Sequence, residues 1–179
     1  MIERIKLVKP TRKYLDSYLE CCKEAWDSDM NNNGFRDPKY SNIWASSIDE
    51  DYEAYAKGEG LPPGFVPFQC LWLLVNEKVI AEGSIRLKLT SSLQRYGANI
   101  GYCIRPSFHG KGYGTKLLAL LKLEAKIYGL KEALITCDDT NIASAKIIEK
   151  NGGRHIDVIP NCIDGKKIRT KRYIVNLID

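Results

Sequence analysis

Three glycines at alternate positions, Gly110, Gly112 and Gly114, are the residues in this sequence whose spacing most directly indicates chemistry. A strand-like segment at 99–104 precedes them, and an apolar run suited to a helix follows them. Glycines allow backbone N–H groups to point into one concavity, and the N-terminus of a helix adds positive potential there. The stretch 99–118 therefore predicts a cradle for an anion, with a diphosphate as the expected guest.

Two common phosphate-binding motifs do not fit this loop. The P-loop pattern G-x-x-x-x-G-K-S/T needs a glycine five residues after Gly110, where Thr115 stands. The dinucleotide pattern G-x-G-x-x-G needs its third glycine at Thr115 when counted from Gly110, and at Leu117 when counted from Gly112. An ordinary flexible turn is the structural alternative, although a helix follows at once and basic residues lie within the loop.

The rest of the chain divides into elements that must hold this loop in place. Hydrophobic periodicity gives the order β-α-α-β-β-β-α-β-α-β-β, and residues 1–179 are enough for a single domain with its own core. The expected fold class is α/β (α+β), with a mixed, mainly antiparallel twisted sheet of about seven strands and helices on both faces. The strand–helix–strand crossover that carries the glycine loop should be parallel and right-handed.

Turn residues and changes of period set the predicted boundaries. The predicted strands are 2–8, 69–75, 79–89, 99–104, 133–137, 154–159 and 167–177. The predicted helices are 14–27, 44–57, 117–128 and 144–150. A polar loop at 28–40 and connectors at 58–67 and 90–96 complete the chain.

Composition and cysteine usage narrow the class of protein. A hydrophobic content of 44% and a charged content of 27% are typical of a soluble globular protein, and no apolar run approaches the length of a membrane span. The N-terminus alternates like a strand, so we read no signal peptide there. Six cysteines without a C-x-x-C pair and only two histidines predict no metal site. The cysteines are interpreted as reduced core residues, which predicts a cytoplasmic location.

The net charge of +5 lies in the C-terminal part of the chain. Residues 1–108 carry 14 Lys and Arg against 14 Asp and Glu, whereas residues 109–179 carry 13 against 8. This excess begins at the proposed anion cradle, but it is too dispersed to predict nucleic-acid binding. Residues 27–60, by contrast, are acidic. They predict either a solvated charged face or a cleft wall that attracts a cationic acceptor.

The segment His109-Gly110-Lys111-Gly112-Tyr113-Gly114 resembles the motif Arg/Gln-x-x-Gly-x-Gly/Ala of the GNAT superfamily of N-acetyltransferases, where it follows the fourth strand. The preceding strand at 100–106, Asn141 and the order of elements also resemble that family over nearly the whole chain. The segments at 64–67, 135–138 and 151–153 resemble an uncharacterised bacterial branch of predicted acetyltransferases within it.

The resemblance implies the GNAT fold, acetyl-CoA as co-substrate and direct transfer of the acetyl group to a primary amine. It implies that loop amides hold the CoA diphosphate and that N–H groups near Cys103 and Ile104 polarise the thioester carbonyl. Asn141 is expected to bond the pantetheine arm, and Ser144 either contacts the coenzyme or only begins its helix. The implied coenzyme-binding residues are Cys103, Ile104, His109, Gly110, Lys111, Gly112, Tyr113, Gly114, Thr115, Asn141 and Ser144.

Three positions depart from the family pattern. His109 replaces the usual arginine or glutamine, Ile148 stands where many members have a proton-donating tyrosine, and Asn99 stands near the usual glutamate base. The candidate base is therefore Glu82, on the polar face of the third strand, and the candidate acid is Tyr102, on the strand beside the thioester. Their structural alternatives are a surface carboxylate and a core aromatic.

The leading prediction is an N-acetyltransferase that acts on a small cationic amine. A protein lysine or N-terminus is an alternative acceptor, and a CoA-binding regulator without catalysis is the alternative from another class, suggested by Ile148. An acetyl-cysteine at Cys103 or Cys137 is the alternative to direct transfer. No nucleic-acid or membrane partner is expected, and the sequence leaves a homodimer open.

Overall fold

Two antiparallel sheets form the scaffold of the computed structural model, which describes residues 3–28, 34–163 and 165–178. The strands are β1 (Ile5–Val8), β2 (Phe68–Val75), β3 (Lys78–Arg86), β4 (Ile100–Ile104), β5 (Glu132–Asp138), β6 (Arg154–Ile163) and β7 (Lys166–Asn176). The first sheet has the order β1-β2-β3-β4 and the second has the order β5-β7-β6. Every ladder between the described strands is antiparallel.

Helices cover both faces of the first sheet. They are α1 (Leu15–Asp27), α2 (Ser41–Trp44), α3 (Ile48–Lys57), α4 (Ser91–Tyr96), α5 (Tyr113–Ile127) and α6 (Ile142–Lys150). On the face covered by α1 and α3, Tyr18 stacks on Trp72 with ring centroids 4.2 Å apart. On the other face, Leu121 of α5 reaches the backbone of β3 because Gly83 has no side chain there. Burying each of these large side chains stabilises the fold by roughly 1.5–3 kcal/mol.

The two sheets are joined at Asn99, immediately before β4. Its N–H donates to the carbonyl oxygen of Leu134 at 2.8 Å, and its Oδ1 accepts from the N–H of Leu134 at 2.8 Å. Its Nδ2 donates to the carbonyl oxygen of Arg86 at 2.9 Å. Beyond this junction β4 and β5 belong to different sheets, so a gap opens between them.

The structure confirms the predicted fold class and the mainly antiparallel arrangement. The predicted crossover through the glycine loop connects β4 to β5, and these two strands lie in different sheets: among the described residues no ladder joins them, and the Asn99 junction links them at one end. The predicted connector at 90–96 contains α4, whose first turn is capped by Thr90 through a bond from the N–H of Leu93 at 3.2 Å. The predicted residues 2 and 29–33 lie outside the described part of the chain.

The cysteines are free thiols, and Cys21, Cys22, Cys70 and Cys137 are buried. In residues 3–28, 34–163 and 165–178, no group of three or more His, Cys, Asp or Glu side chains is placed to hold a metal ion. Among the described helices, none is both long and apolar enough to cross a membrane.

Candidate active site

The edge of β4 that faces the gap presents backbone groups to it. The N–H of Arg105 donates to the carbonyl oxygen of Ile80 on β3 at 2.7 Å. Successive residues of a strand direct their N–H groups to opposite sides, so the N–H of Ile104 points away from β3 and towards the gap, while that of Cys103 points to β3. Of the two amides predicted to polarise a thioester, the Ile104 amide is therefore the one directed at the gap.

The glycine loop follows the end of β4, and two of its glycines are required by backbone conformation. Gly110 has φ +72° and Gly112 has φ +84°, and a Cβ at either position would meet nothing within 4 Å. The left-handed region costs other L-residues about 1–2 kcal/mol. The same open space that surrounds these glycines leaves their backbone accessible to a ligand.

The third glycine, Gly114, has a different role, because it permits α5 and α6 to pack closely together. A Cβ at Gly114 would lie 2.6 Å from Cδ1 of Ile147 on α6. Gly112 is the N-cap of α5, and the first bond within the helix runs from the N–H of Lys116 to the carbonyl oxygen of Gly112 at 3.2 Å. The preceding N–H groups, at 113–115, have no acceptor within the helix and form the positive end of its dipole.

These features surround one cavity of about 830 Å³, which is large enough for a cofactor of drug size. The cavity contains eleven of the thirteen residues predicted as site residues. They are Tyr102, Cys103, Ile104, His109, Gly110, Gly112, Tyr113, Gly114, Thr115, Asn141 and Ser144. Its described lining includes no aspartate or glutamate, as an anionic ligand requires.

Lys111 and Glu82 are the two predicted residues that do not line this cavity. Lys111 folds back along the loop, where its Nζ donates to the carbonyl oxygen of Ser107 at 2.9 Å and lies 5.1 Å from the centre of the Phe108 ring. His109 also bonds the loop rather than projecting freely, since its Nε2 donates to the carbonyl oxygen of Ile104 at 2.8 Å. The histidine in place of the usual arginine or glutamine thus fastens the loop to β4.

Asn141, Ser144 and Tyr102 close the cavity on the side of α6. Asn141 is the N-cap of that helix, and its Oδ1 accepts from the N–H of Ser144 at 2.9 Å. This capping bond leaves the Nδ2 group of Asn141 available to a ligand. The hydroxyl groups of Tyr102 and Ser144 lie 2.9 Å apart, and burial raises the pKa of Tyr102 to about 12.

Two lysines that the sequence reasoning missed complete the cavity. Lys146 and Lys150 are exposed, lie one turn apart on α6 and line the cavity on the same side. They supply positive charge beside the N-terminus of α5. The available signal was their spacing of four residues in the helix that follows Asn141.

Glu82 lies on β3 directly opposite Cys103, on the face of the sheet covered by α1 and α3. One carboxylate oxygen, Oε2, accepts from the hydroxyl of Tyr18 at 2.6 Å and from Nε1 of Trp72 at 3.1 Å. Burial raises the pKa of Glu82, although these two bonds and the charge of Arg36 act in the opposite direction. Glu82 is therefore a partly buried, hydrogen-bonded carboxylate and not a freely solvated one.

The other two departures from the family pattern have structural roles. Ile148 is fully buried, and its Cγ2 would lie 2.3 Å from a Cβ at Gly153. Asn99, near the usual position of a glutamate base, uses its side chain to join the sheets. Neither residue is placed to move a proton in the cavity.

In the acidic segment predicted as a possible cleft wall, three carboxylates of α3 lie in ion pairs on the surface. Arg12 binds Asp49 at 3.0 Å and Glu50 at 2.6 Å, and Lys57 binds Glu53 at 3.2 Å. These are exposed ion pairs, and none of the three carboxylates lines the cavity between β4 and α6. These three carboxylates are therefore part of the solvated surface of α3.

A profile of the acetyltransferase (GNAT) domain matches residues 4–154 of the chain. The chain therefore belongs to the GNAT acetyltransferases, and it is an acetyl-CoA-dependent enzyme of that family. None of the curated proteins matches the chain in sequence.

Solved structures with the same fold support this assignment. The acetyltransferase yncA of Salmonella typhimurium, in a structure with its cofactor acetyl-CoA, is 16% identical with a TM-score of 0.66, over 98% of this chain and 95% of that one. An N-acetyltransferase of Staphylococcus aureus Mu50 is 16% identical with a TM-score of 0.67, over 98% and 99%. An acetyltransferase of Salmonella typhimurium that modifies the N-terminal serine of ribosomal protein L7/L12 is 13% identical with a TM-score of 0.69, over 98% and 95%. At these identities the comparison shows a shared fold.

Proposed function

We propose that the cavity between β4, α5 and α6 binds acetyl-CoA and that the chain transfers its acetyl group directly to the primary amine of a small molecule. The observation that supports this most strongly is the convergence of the amide of Ile104, the N-terminus of α5 and two lysines on one cavity without described acidic residues. The thioester of acetyl-CoA supplies the activated acetyl group. The protein has to bind acetyl-CoA and polarise its thioester carbonyl. It also has to remove a proton from the acceptor amine and deliver one to the departing sulfur.

The residues of this chain divide the task of holding the coenzyme. The N–H groups at 113–115 face the diphosphate, and Gly110 and Gly112 let the backbone approach it closely. Lys146 and Lys150 add charge at the same phosphates, and the Nδ2 group of Asn141 donates to the pantetheine arm. The N–H of Ile104 donates to the thioester carbonyl, where negative charge develops during attack.

Two protons must move for the carbon–sulfur bond to break as the carbon–nitrogen bond forms. Glu82, which does not line the coenzyme cavity, takes a proton from the acceptor ammonium through water, and burial raises its pKa and so favours the protonated form. Tyr102 gives a proton to the departing sulfur and is reprotonated by the second proton that the nitrogen loses as the amide forms, and its raised pKa keeps its hydroxyl protonated between turnovers. Ser144 holds that hydroxyl in position.

The charge of the acceptor has to be inferred from the site itself. Of the acidic residues that motivated a cationic acceptor, Asp49, Glu50 and Glu53 lie in surface ion pairs on α3, so these three give no support to that part of the prediction. A protein N-terminus is the second candidate acceptor, because one protein with the same fold modifies the N-terminal serine of a ribosomal protein.

The test combines binding with turnover. Calorimetry with CoA should show one site, and release of free thiol from acetyl-CoA should depend on a primary amine. A panel of small amines and of peptides with free N-termini, with acetylated products identified by mass spectrometry, separates the two acceptor classes. Acetylation of peptides alone would contradict the small-molecule proposal, and absence of CoA binding would contradict the site.

A further inference from the structure

A second, smaller cavity of about 200 Å³ shares a wall with the coenzyme cavity. Tyr102 and Ser144, joined by their 2.9 Å hydrogen bond, line both cavities. The small cavity lies at the gap edge of β4, under the residues that connect α4 to the Asn99 junction. A molecule bound there would therefore contact two side chains that also line the coenzyme cavity.

Arg86, at the end of β3, brings a positive charge to this small cavity. Its Nη1 makes a long hydrogen bond of 3.4 Å to the carbonyl oxygen of Ala98, and its guanidinium lies 5.9 Å from the centre of the Phe68 ring. In the described part of the chain, no carboxylate oxygen lies within 4.0 Å of the guanidinium. Burial lowers the pKa of Arg86, and no neighbouring charge raises it.

Gly101, on the next strand, lies beside the guanidinium of Arg86. A Cβ at Gly101 would lie 3.1 Å from Oγ of Ser84 and 3.6 Å from Nη1 of Arg86. The guanidinium therefore lies next to the backbone of β4, and Arg86 and Gly101 line the small cavity together. A partly buried arginine without an acidic partner is unusual, because taking a charge out of water is costly unless a counter-charge is supplied.

We propose, building on the acetyltransferase function proposed above, that Arg86 binds a carboxylate of the acceptor in this small cavity, so that the acceptor is a small amine carrying an acid group, of the amino-acid class. A planar guanidinium matches a carboxylate with two parallel hydrogen bonds. The cavity is smaller than sites for drug-sized ligands, which fits a short molecule rather than a folded protein. At a protein N-terminus the acetylated residue has no α-carboxylate, because that carboxyl group is in a peptide bond.

The first test measures binding and does not depend on turnover. N-acetyl-amino acids, the expected class of product, are titrated by ligand-observed NMR into the protein saturated with CoA, beside the corresponding carboxamides. The free acids should bind the wild-type protein about 30-fold more tightly than the amides, as a hydrogen-bonded charge pair implies. Equal binding of acids and amides, or no binding of either, would overturn the proposal.

Substitutions test whether Arg86 causes the preference for free acids over carboxamides. Arg86→Gln should remove the preference for the acid, and Arg86→Lys should retain part of it because it keeps the charge without the planar fork. Lys88→Gln removes an equal charge from an exposed position two residues away and should retain the full preference. CoA affinity should be unchanged in all three variants. Loss of CoA binding in the wild-type protein would instead contradict the proposed function, so the two failures are distinguishable.

Discussion

Glu82 and Tyr102 lie on adjacent strands and project from opposite faces of the same sheet. Glu82 is paired with Cys103, and Tyr102 is paired with Gly83, one position further along the ladder. Because neighbouring residues of a strand point to opposite faces, the two side chains are separated by the sheet itself. Tyr102 lines both the coenzyme cavity and the small cavity assigned to the acceptor, whereas Glu82 lines neither, so we expect Glu82 to reach the amine through water. The two residues can therefore be tested independently.

Glu82→Gln should lower kcat by about 100-fold or more while CoA affinity stays unchanged, because it removes the proposed base and keeps the oxygen that accepts from Tyr18 and Trp72. In the wild-type enzyme, kcat/KM should rise with pH through the raised pKa of Glu82, and this rise should be absent in the variant. Glu59→Gln, at an exposed carboxylate, is the matched control. A full pH rise in Glu82→Gln would assign the base elsewhere.

The same carboxylate makes a prediction about stability. A carboxyl group whose pKa is raised by folding contributes stability at low pH, and that contribution is lost as the pH rises through the raised value. Glu82→Gln should therefore keep or raise the free energy of unfolding at neutral pH. Glu82→Ala should lower it by about 1–3 kcal/mol, since the donors of Tyr18 and Trp72 lose their acceptor. Urea titrations of both variants measure the difference, and equal destabilisation would contradict this account.

Tyr102→Phe should lower kcat by about 100-fold with little change in the KM for acetyl-CoA, because only the proposed acid is lost. With a pKa of about 12, Tyr102 stays protonated, so its ionisation should not lower kcat of the wild-type enzyme below about pH 10. Ser144→Ala keeps the phenol but removes its 2.9 Å partner, and should have a smaller effect. Tyr40→Phe, an exposed position, should have none. An unchanged kcat in Tyr102→Phe would leave the phenol without a catalytic role.

The coenzyme loop can be tested with a pair of glycines that share a conformation. Gly112 has φ +84° and Gly129 has φ +92°, and neither would place a Cβ within 4 Å of another group. Replacing either with glutamate should therefore cost about 1–2 kcal/mol of stability through backbone strain. Gly112→Glu should also weaken CoA binding by about 100-fold, since it sets a carboxylate beside the phosphates, whereas Gly129→Glu should bind CoA normally. Equal CoA affinity in the two variants would refute the assigned cradle.

The glycine loop and most of the strands and helices could be predicted from local sequence, because local backbone conformation determines them. Positive φ, a helix N-terminus and alternating apolar residues all leave a pattern, so Gly110 and Gly112 were identified as cradle residues. The gap between β4 and β5 left no such pattern, since it depends on contacts between Asn99, Leu134 and Arg86 that are distant in sequence. The position of Arg86 at the small cavity likewise depends on Phe68 and Ala98, which are distant in sequence.

The side chain of Asn99 makes two hydrogen bonds that join the sheets, and these bonds explain why an amide and not a carboxylate stands at this position. Its Oδ1 accepts from the N–H of Leu134, and its Nδ2 donates to the carbonyl oxygen of Arg86. Only an amide satisfies both, because a carboxylate has no donor for the Arg86 carbonyl. Asn99→Asp should therefore destabilise the fold by about 1–3 kcal/mol, and Asn99→Ala by at least as much.

Thermal unfolding of both Asn99 variants measures this cost, with Asn176→Ala as the control because Asn176 is exposed and makes a single local bond to the N–H of Ile178 at 3.2 Å. CoA affinity should fall together with stability in the Asn99 variants, since the junction sets the width of the gap. If Asn99→Asp were instead as stable as the wild type and gained activity, the position would be a vacant site for the base and not a structural junction.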